Sequence, residues 1–138
     1  MPPSPPHVAL AFKIVNNGEL PLYLDFGADQ TELRLDLHGP GTFRLAAPGW
    51  RTALADVPPL VRLAPGATTS FPIMSLVGGT QKRPYALHWT EAGRYTVSAR
   101  LRVGVSHTPP QQAGELPRHR WRQQTFAAPP LTIDVTIR

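Results

Sequence analysis

The sequence predicts an all-β domain, an antiparallel β-sandwich of about eight strands, and three observations lead there. Apolar side chains recur at every second residue along most of the chain, while the three-to-four spacing of an amphipathic helix is almost absent. The alternating segments follow one another at roughly 8–12-residue intervals, the spacing of sandwiches and small barrels. Pro and Gly, 17 and 11 of the 138 residues, cluster between those segments as turn punctuation.

Val8, Leu10, Phe12 and Ile14 share one face of a first strand, closed by Asn16-Asn17-Gly18, whose residue types tolerate the positive φ of tight turns. Leu22, Leu24 and Phe26 make a second strand, broken at Gly27-Ala28-Asp29. Leu33, Leu35 and Leu37 alternate with Arg34, Asp36 and His38, a strand with one wet face. Gly39-Pro40-Gly41 stops it, and Phe43 and Leu45 resume the alternation. Residues 46–59 read as an irregular loop, with breakers at Pro48-Gly49 and Pro58-Pro59. Val61 and Leu63 lead into an Ala64-Pro65-Gly66 turn, followed by Phe71 and Ile73. Gly78-Gly79 is expected to open a polar loop before Tyr85, Leu87 and Trp89 alternate. Tyr95, Val97, Ala99, Leu101 and Val103 form the longest alternation, with Thr96, Ser98, Arg100 and Arg102 turned to water. A Pro-rich insertion at 106–117 is expected to project as a loop, with Arg118–Phe126 pairing back as a weaker strand. Leu131, Ile133, Val135 and Ile137 close the chain, with Pro129-Pro130 ahead of them, where proline harms no ladder.

Length and composition fit one domain, 8–138, behind a Pro-rich tail at 1–7. Leu, Ile, Val and Phe account for 34 residues, enough for a core without staples. With no cysteine, disulfides and thiolate metal sites are excluded. No apolar run approaches the roughly 18 residues of a membrane span, so no membrane insertion is expected. Met1–Pro6 has neither the basic start nor the apolar stretch of a signal peptide. The net charge of +5 is uneven: residues 1–60 carry −2 and residues 61–138 carry +7.

The run Glu91-Ala92-Gly93-Arg94-Tyr95-Thr96-Val97 resembles the acidic-x-Gly-x-Tyr entry to a late strand of immunoglobulin-like domains. The resemblance implies a tyrosine corner at Tyr95, with Gly93 and Trp89 in structural roles. Val97 stands where antibody domains place a cysteine. The order of an early Asn-rich turn, the Leu63–Ile73 stretch and the late Gly-x-Tyr strand is similar to bacterial immunoglobulin-like modules and, loosely, to the bacterial intracellular proteinase inhibitor family. Gly27, Asp29, Gly39, Pro40 and Gly41 resemble a pattern in Planctomycetes-type domains. These motifs are structural, and no inhibitory residue carries over.

Candidate chemistry is sparse. Asp25, Asp29, Glu32 and Asp36 match no calcium-loop spacing, so solvated strand faces are expected there and no metal or other cofactor. The five histidines form no ligand pair, and there is no nucleophile elbow or phosphate-binding loop. An enzyme is not expected. The most distinctive feature is Arg118, Arg120 and Arg122 alternating around His119 and Trp121, with Arg100 and Arg102 alternating likewise on the earlier strand. If the register put both sets on one face, five arginines would form a patch suited to phosphate, sulfated glycan or acidic protein partners. The expected reading is plainer: a solubilising face that also deters edge pairing. Trp50, after Pro48-Gly49, is the candidate exposed aromatic.

The function expected from sequence is a non-catalytic interaction or structural module of a bacterial envelope or secreted system, hence extracytoplasmic. The alternatives are a protease inhibitor presenting residues 46–59 or 106–117, and a polyanion- or carbohydrate-binding module using the arginines with Trp121 or Trp50. A protein partner or acidic polymer fits these readings, and no specific nucleic acid does.

Overall fold

A computed structural model of the chain describes residues 5–28, 30–108 and 121–136. Eleven strands lie among them, against the roughly eight expected. They are β1 (His7–Val15), β2 (Leu22–Asp25), β3 (Glu32–His38), β4 (Thr42–Ala46), β5 (Leu60–Leu63), β6 (Thr68–Ser75), β7 (Val77–Gly79), β8 (Pro84–Trp89), β9 (Gly93–Ser106), β10 (Arg122–Ala127) and β11 (Leu131–Val135). Every pairing is antiparallel. No helix among the described residues is long and apolar enough to cross a membrane.

Two sheets make a sandwich-like arrangement. The small one pairs β1 with β6, and the large one runs β4-β8-β7-β3-β9-β2-β5, with β10 and β11 also on β9. Period-2 burial along β1 and β6 turns Phe12, Ile14, Phe71 and Ile73 inward. The Phe12 and Phe71 rings stack at 5.4 Å, and Phe26, just past β2, meets Phe71 edge-on at 6.2 Å, fastening one sheet to the other. Leu24, Leu33, Leu76, Leu101 and Val103 are fully buried in the same core.

β9 organises the large sheet. Residues 96–102 pair with β3 and 104–106 with β2, while the opposite edge takes β10 at 100–105 and β11 at 93–97. Each flank is therefore a single rail interrupted once. On the β10–β11 side the register slips by one residue across Ala128-Pro129-Pro130, where proline has no N–H for the ladder. The slip keeps Phe126 on one side of the break, and Ile133 and Val135 on the other, packed against the core.

Several sequence expectations change. The Gly78-Gly79 segment is not a polar loop: Val77–Gly79 is a buried strand. No Cβ would fit at Gly78 between the Leu33 carbonyl and the Tyr85 hydroxyl, and that close approach is why small residues stand there. Asn16 ends β1 by hydrogen bonding and not by positive φ, which no described non-glycine residue adopts. Buried Asn16 donates from Nδ2 to the Leu20 and Leu63 carbonyls, both at 2.9 Å, and accepts from the Gly18 N–H at 3.0 Å. Within 46–59, Ala53–Asp56 form a 3-10 turn whose Thr52 cap accepts from the Leu54 N–H. β1 opens at His7, and the Pro6 carbonyl accepts from Leu76 N–H. Of the expected 106–117 loop, residues 109–117 lie outside the described residues.

Candidate partner-binding surface

The register divides the arginines. Directly opposed residues of an antiparallel pair share a face. Arg100 and Arg102 oppose Ala127 and Thr125, whereas Arg122 opposes Val105. Arg122 therefore projects from the face of Leu101, Val103 and Val105, opposite to Arg100 and Arg102. The register that would put both sets of arginines on one face is not met by these three, and Arg118 and Arg120 lie outside the described residues. Trp121 is half-buried at the entry to β10, its Cβ close to Gly104.

The neighbours of Arg100 and Arg102 come from β3. Glu32 opposes Arg102 and Arg34 opposes Arg100, with Asp36 3.7 Å from the Arg34 Nε. Arg102 also donates to the Gln30 carbonyl at 3.2 and 3.4 Å. Acidic and basic groups thus alternate across this face, which is mixed in charge. Of the acidic group singled out in the sequence, Asp25 accepts from the Gly27 N–H at 3.0 Å, Glu32 and Asp36 sit on the β3 face, and Asp29 lies outside the described residues. No three His, Asp or Glu side chains among the described residues are grouped to hold a metal ion.

Tyr95, at 0% exposure, donates its hydroxyl to the Glu91 carbonyl at 2.7 Å. Half-buried Trp89 lies 5.5 Å away, centroid to centroid. Gly93 opens β9 at φ 148°, with Pro40 beside it. Gly39 has to be glycine because a Cβ there would run into the Tyr95 ring.

Sequence reading passed over a further surface, along β4. β4 is the end strand of the large sheet, and all five of its residues are exposed. Among the described residues it has one neighbour, β8. Bonds from Thr90 N–H to the Gly41 carbonyl and from Ala47 N–H to the Pro84 carbonyl bracket that ladder. Antiparallel pairs alternate between bonded and non-bonded. In this register Phe43 and Leu45 therefore bond to β8, and Thr42, Arg44 and Ala46 aim their N–H and C=O groups at the open edge.

Side chains complete the surface. Phe43 and Leu45, each 37% exposed, share one face, and the Phe43 ring stacks on buried His88 at 4.8 Å. Burial lowers the His88 pKa by disfavouring its charged form. Just past the strand, Ala47-Pro48-Gly49-Trp50 is a turn with Trp50 N–H bonded to the Ala47 carbonyl at 3.1 Å. Gly49 takes φ 85°, as the third residue of a type II turn requires. Ala47 is buried with Val77 and Ala86, so the turn is anchored and holds Trp50 out at 40% exposure.

On the other face of β4, Arg44 lies with its guanidinium 3.7 Å from the Tyr85 ring centroid. A cleft of about 420 Å³ opens there, lined by Arg44, Ala46 and Pro48 on one side and by Lys82, Arg83, Pro84 and Tyr85 on the other. The Thr80–Arg83 turn that carries two of its cations is closed by bonds from Arg83 N–H to the Thr80 carbonyl and hydroxyl. Arg44, Lys82 and Arg83 thus come together at this cleft. Tyr85 is itself fixed: its hydroxyl donates to the Leu35 carbonyl at 2.9 Å and accepts from the Leu35 N–H at 2.8 Å. Compared with protein-family models, curated proteins and solved structures, the chain matches none.

Proposed function

We propose that this domain is a non-catalytic interaction module, immunoglobulin-like in build, that takes up an extended segment of a protein partner along the free edge of β4. The observation that carries the reading is the edge itself: alternate backbone groups of Thr42, Arg44 and Ala46 point outward with no strand against them among the described residues. Addition of a strand satisfies such groups with main-chain bonds, and side chains on the two faces supply specificity. Phe43, Leu45 and Trp50 offer apolar contact on and beside that edge. The immunoglobulin-like assignment is supported by the long β9 flanked on both edges, and by the Tyr95 hydroxyl bonded to backbone four residues upstream.

Titration of the labelled protein with a panel of extended peptides, followed by amide NMR, tests the reading. Shifts concentrated on Thr42–Ala46 and β8 are expected. Shifts confined to another edge, such as β5, or none with any peptide, would overturn it.

A further inference from the structure

We infer that the segment taken up by β4 is β4 of a second copy of this chain, run antiparallel in a two-fold pair centred on Arg44. The inference rests on the edge-pairing reading of β4 and names the partner.

The outward-aimed residues Thr42, Arg44 and Ala46 are spaced symmetrically about Arg44. A second β4 laid antiparallel about that point sets Thr42 opposite the partner's Ala46 and Arg44 opposite the partner's Arg44. The outward N–H and C=O groups of all three residues then meet acceptors and donors aimed back at them. The positions between become non-bonded pairs, in which the Cα atoms stand about 4.5 Å apart and side chains approach most closely. They set Phe43 against the partner's Leu45 and Leu45 against the partner's Phe43, all on one face. Each of these side chains is 37% exposed in the single chain. The strand is thus complementary to itself in backbone and in side chains, which is what an isologous two-fold contact requires.

Edges that must stay unpaired commonly carry lysine, proline or a bulge. β1 and β6 carry exposed Lys13 and Pro72. β4 has neither residue, and its pairing with β8 runs without a break in register. Its one charge does not guard the edge, because the Arg44 guanidinium lies back over the Tyr85 ring of β8, 3.7 Å from the centroid. In the pair, the two guanidiniums lie over β8 strands three strand spacings apart, about 14 Å. That exceeds the roughly 8–10 Å over which exposed charges act at ordinary ionic strength, so their repulsion is largely screened. Two five-residue edges bury less than the roughly 1,200 Å² of stable complexes, so the association is weak and reversible.

The test compares the full chain at about 20 μM and about 1 mM, a span over which a weak dimer forms and dissociates. At the higher concentration sedimentation should show a dimer, and amide exchange at Thr42, Arg44 and Ala46 should slow at least about threefold. Ala46→Pro should remove both effects, since its N–H faces the open edge and none is lost from β8. The chain has no cysteine, so single cysteines report the register. An oxidised mixture of the Thr42→Cys and Ala46→Cys variants should give their heterodimer at least about tenfold over either homodimer. The symmetric register opposes those two positions and holds each about 13 Å from its own copy, beyond the roughly 7 Å that a disulfide spans.

A monomer at both concentrations, with fast exchange at all three amides, overturns the inference. The edge reading survives that result if an extended peptide still shifts Thr42–Ala46. A dimer that leaves these amides unprotected, or that survives Ala46→Pro, makes its contact elsewhere and overturns the inference, as do cysteine homodimers equal in yield to the heterodimer. Slow exchange at both concentrations in a monomer means that the chain covers its own edge, which overturns the edge reading and the inference together.

Discussion

Tyr85 and Tyr95 both bond their hydroxyls to backbone, with different consequences for the fold. The Tyr95 hydroxyl meets one carbonyl, that of exposed Glu91, which water can reach if the hydroxyl is removed. Tyr95→Phe should therefore cost about 1 kcal/mol, the net worth of one hydrogen bond. The Tyr85 hydroxyl serves both the N–H and the C=O of Leu35, where the single β3–β7 bridge at Leu33 leaves that edge of β3 without a strand. Leu35 is buried, so Tyr85→Phe strands two backbone groups away from water. We expect a loss of about 2 kcal/mol or more, consistently larger than for Tyr95→Phe. Urea unfolding of the two variants side by side checks the order, and equal losses would mean that water replaces the Tyr85 hydroxyl at Leu35. The Tyr95 hydroxyl bond to nearby backbone was legible in the sequence because Glu91–Val97 carries a recognisable local pattern. The role of Tyr85 was not, since its partner lies 50 residues away and nothing in Tyr85-Ala-Leu-His-Trp89 distinguishes a pin from a core aromatic.

For the elements, alternation identified most of the strands, and their registers then decided which side chains share a face. Leu33–Leu37 and Tyr95–Val103 were readable one at a time, but nothing in either segment sets Arg34 opposite Arg100 and Glu32 opposite Arg102. That register makes two arginines of one strand unequal. Arg100→Gln relieves a like-charge pair and should be neutral or stabilising by a few tenths of a kcal/mol, whereas Arg102→Gln loses Glu32 and the Gln30 carbonyl and should destabilise by about 0.5 kcal/mol. Urea midpoints that move in the same direction by the same amount would show that this face is dominated by net charge and not by opposed pairs. Arg122 illustrates the same limit, because the sequence could place it on a strand but was silent about the face from which it projects. The short strand β7 escaped notice for another reason. A Gly-Gly step normally marks a loop, and only the packing of Leu33 and Tyr85 against Gly78 explains why glycine belongs inside a sheet.

Across the whole molecule, the charge asymmetry along the chain is partly cancelled by folding. β3 comes from the acidic first part and β9 from the basic second part, and the sheet sets them side by side. Asp134 likewise meets Arg94, 3.4 Å apart on the surface. The cleft beside β4 brings together basic groups from both parts, Arg44 with Lys82 and Arg83. Stability against pH should show two flanks, both originating on β8. Burial lowers the His88 pKa, so below its ordinary value of 6.5 the unfolded chain takes up a proton that the folded chain resists, and stability falls as pH drops. Burial raises the Tyr85 pKa despite the opposing Leu35 bond and Arg44, so above 10.0 the unfolded chain releases a proton that the folded chain keeps, and stability falls as pH rises. Melting curves should thus peak between these values, and His88→Phe, which keeps a ring against Phe43, should flatten the acid flank. An acid flank identical in that variant would assign it to the carboxylates.

The sequence by itself determined the all-β class, the position of most strands, the Pro–Gly turns at Pro48-Gly49 and Pro65-Gly66, and the exposure of Trp50. These are local properties: a period of two, a φ that glycine allows, a proline that fits one turn position. Tertiary structure alone decided that β4 is an edge, that Arg122 parts from Arg100 and Arg102, and that Arg44 meets the distant Lys82-Arg83 pair at one cleft. Pairing and register are set by which strands bury their apolar faces together, and that depends on contacts between residues many positions apart.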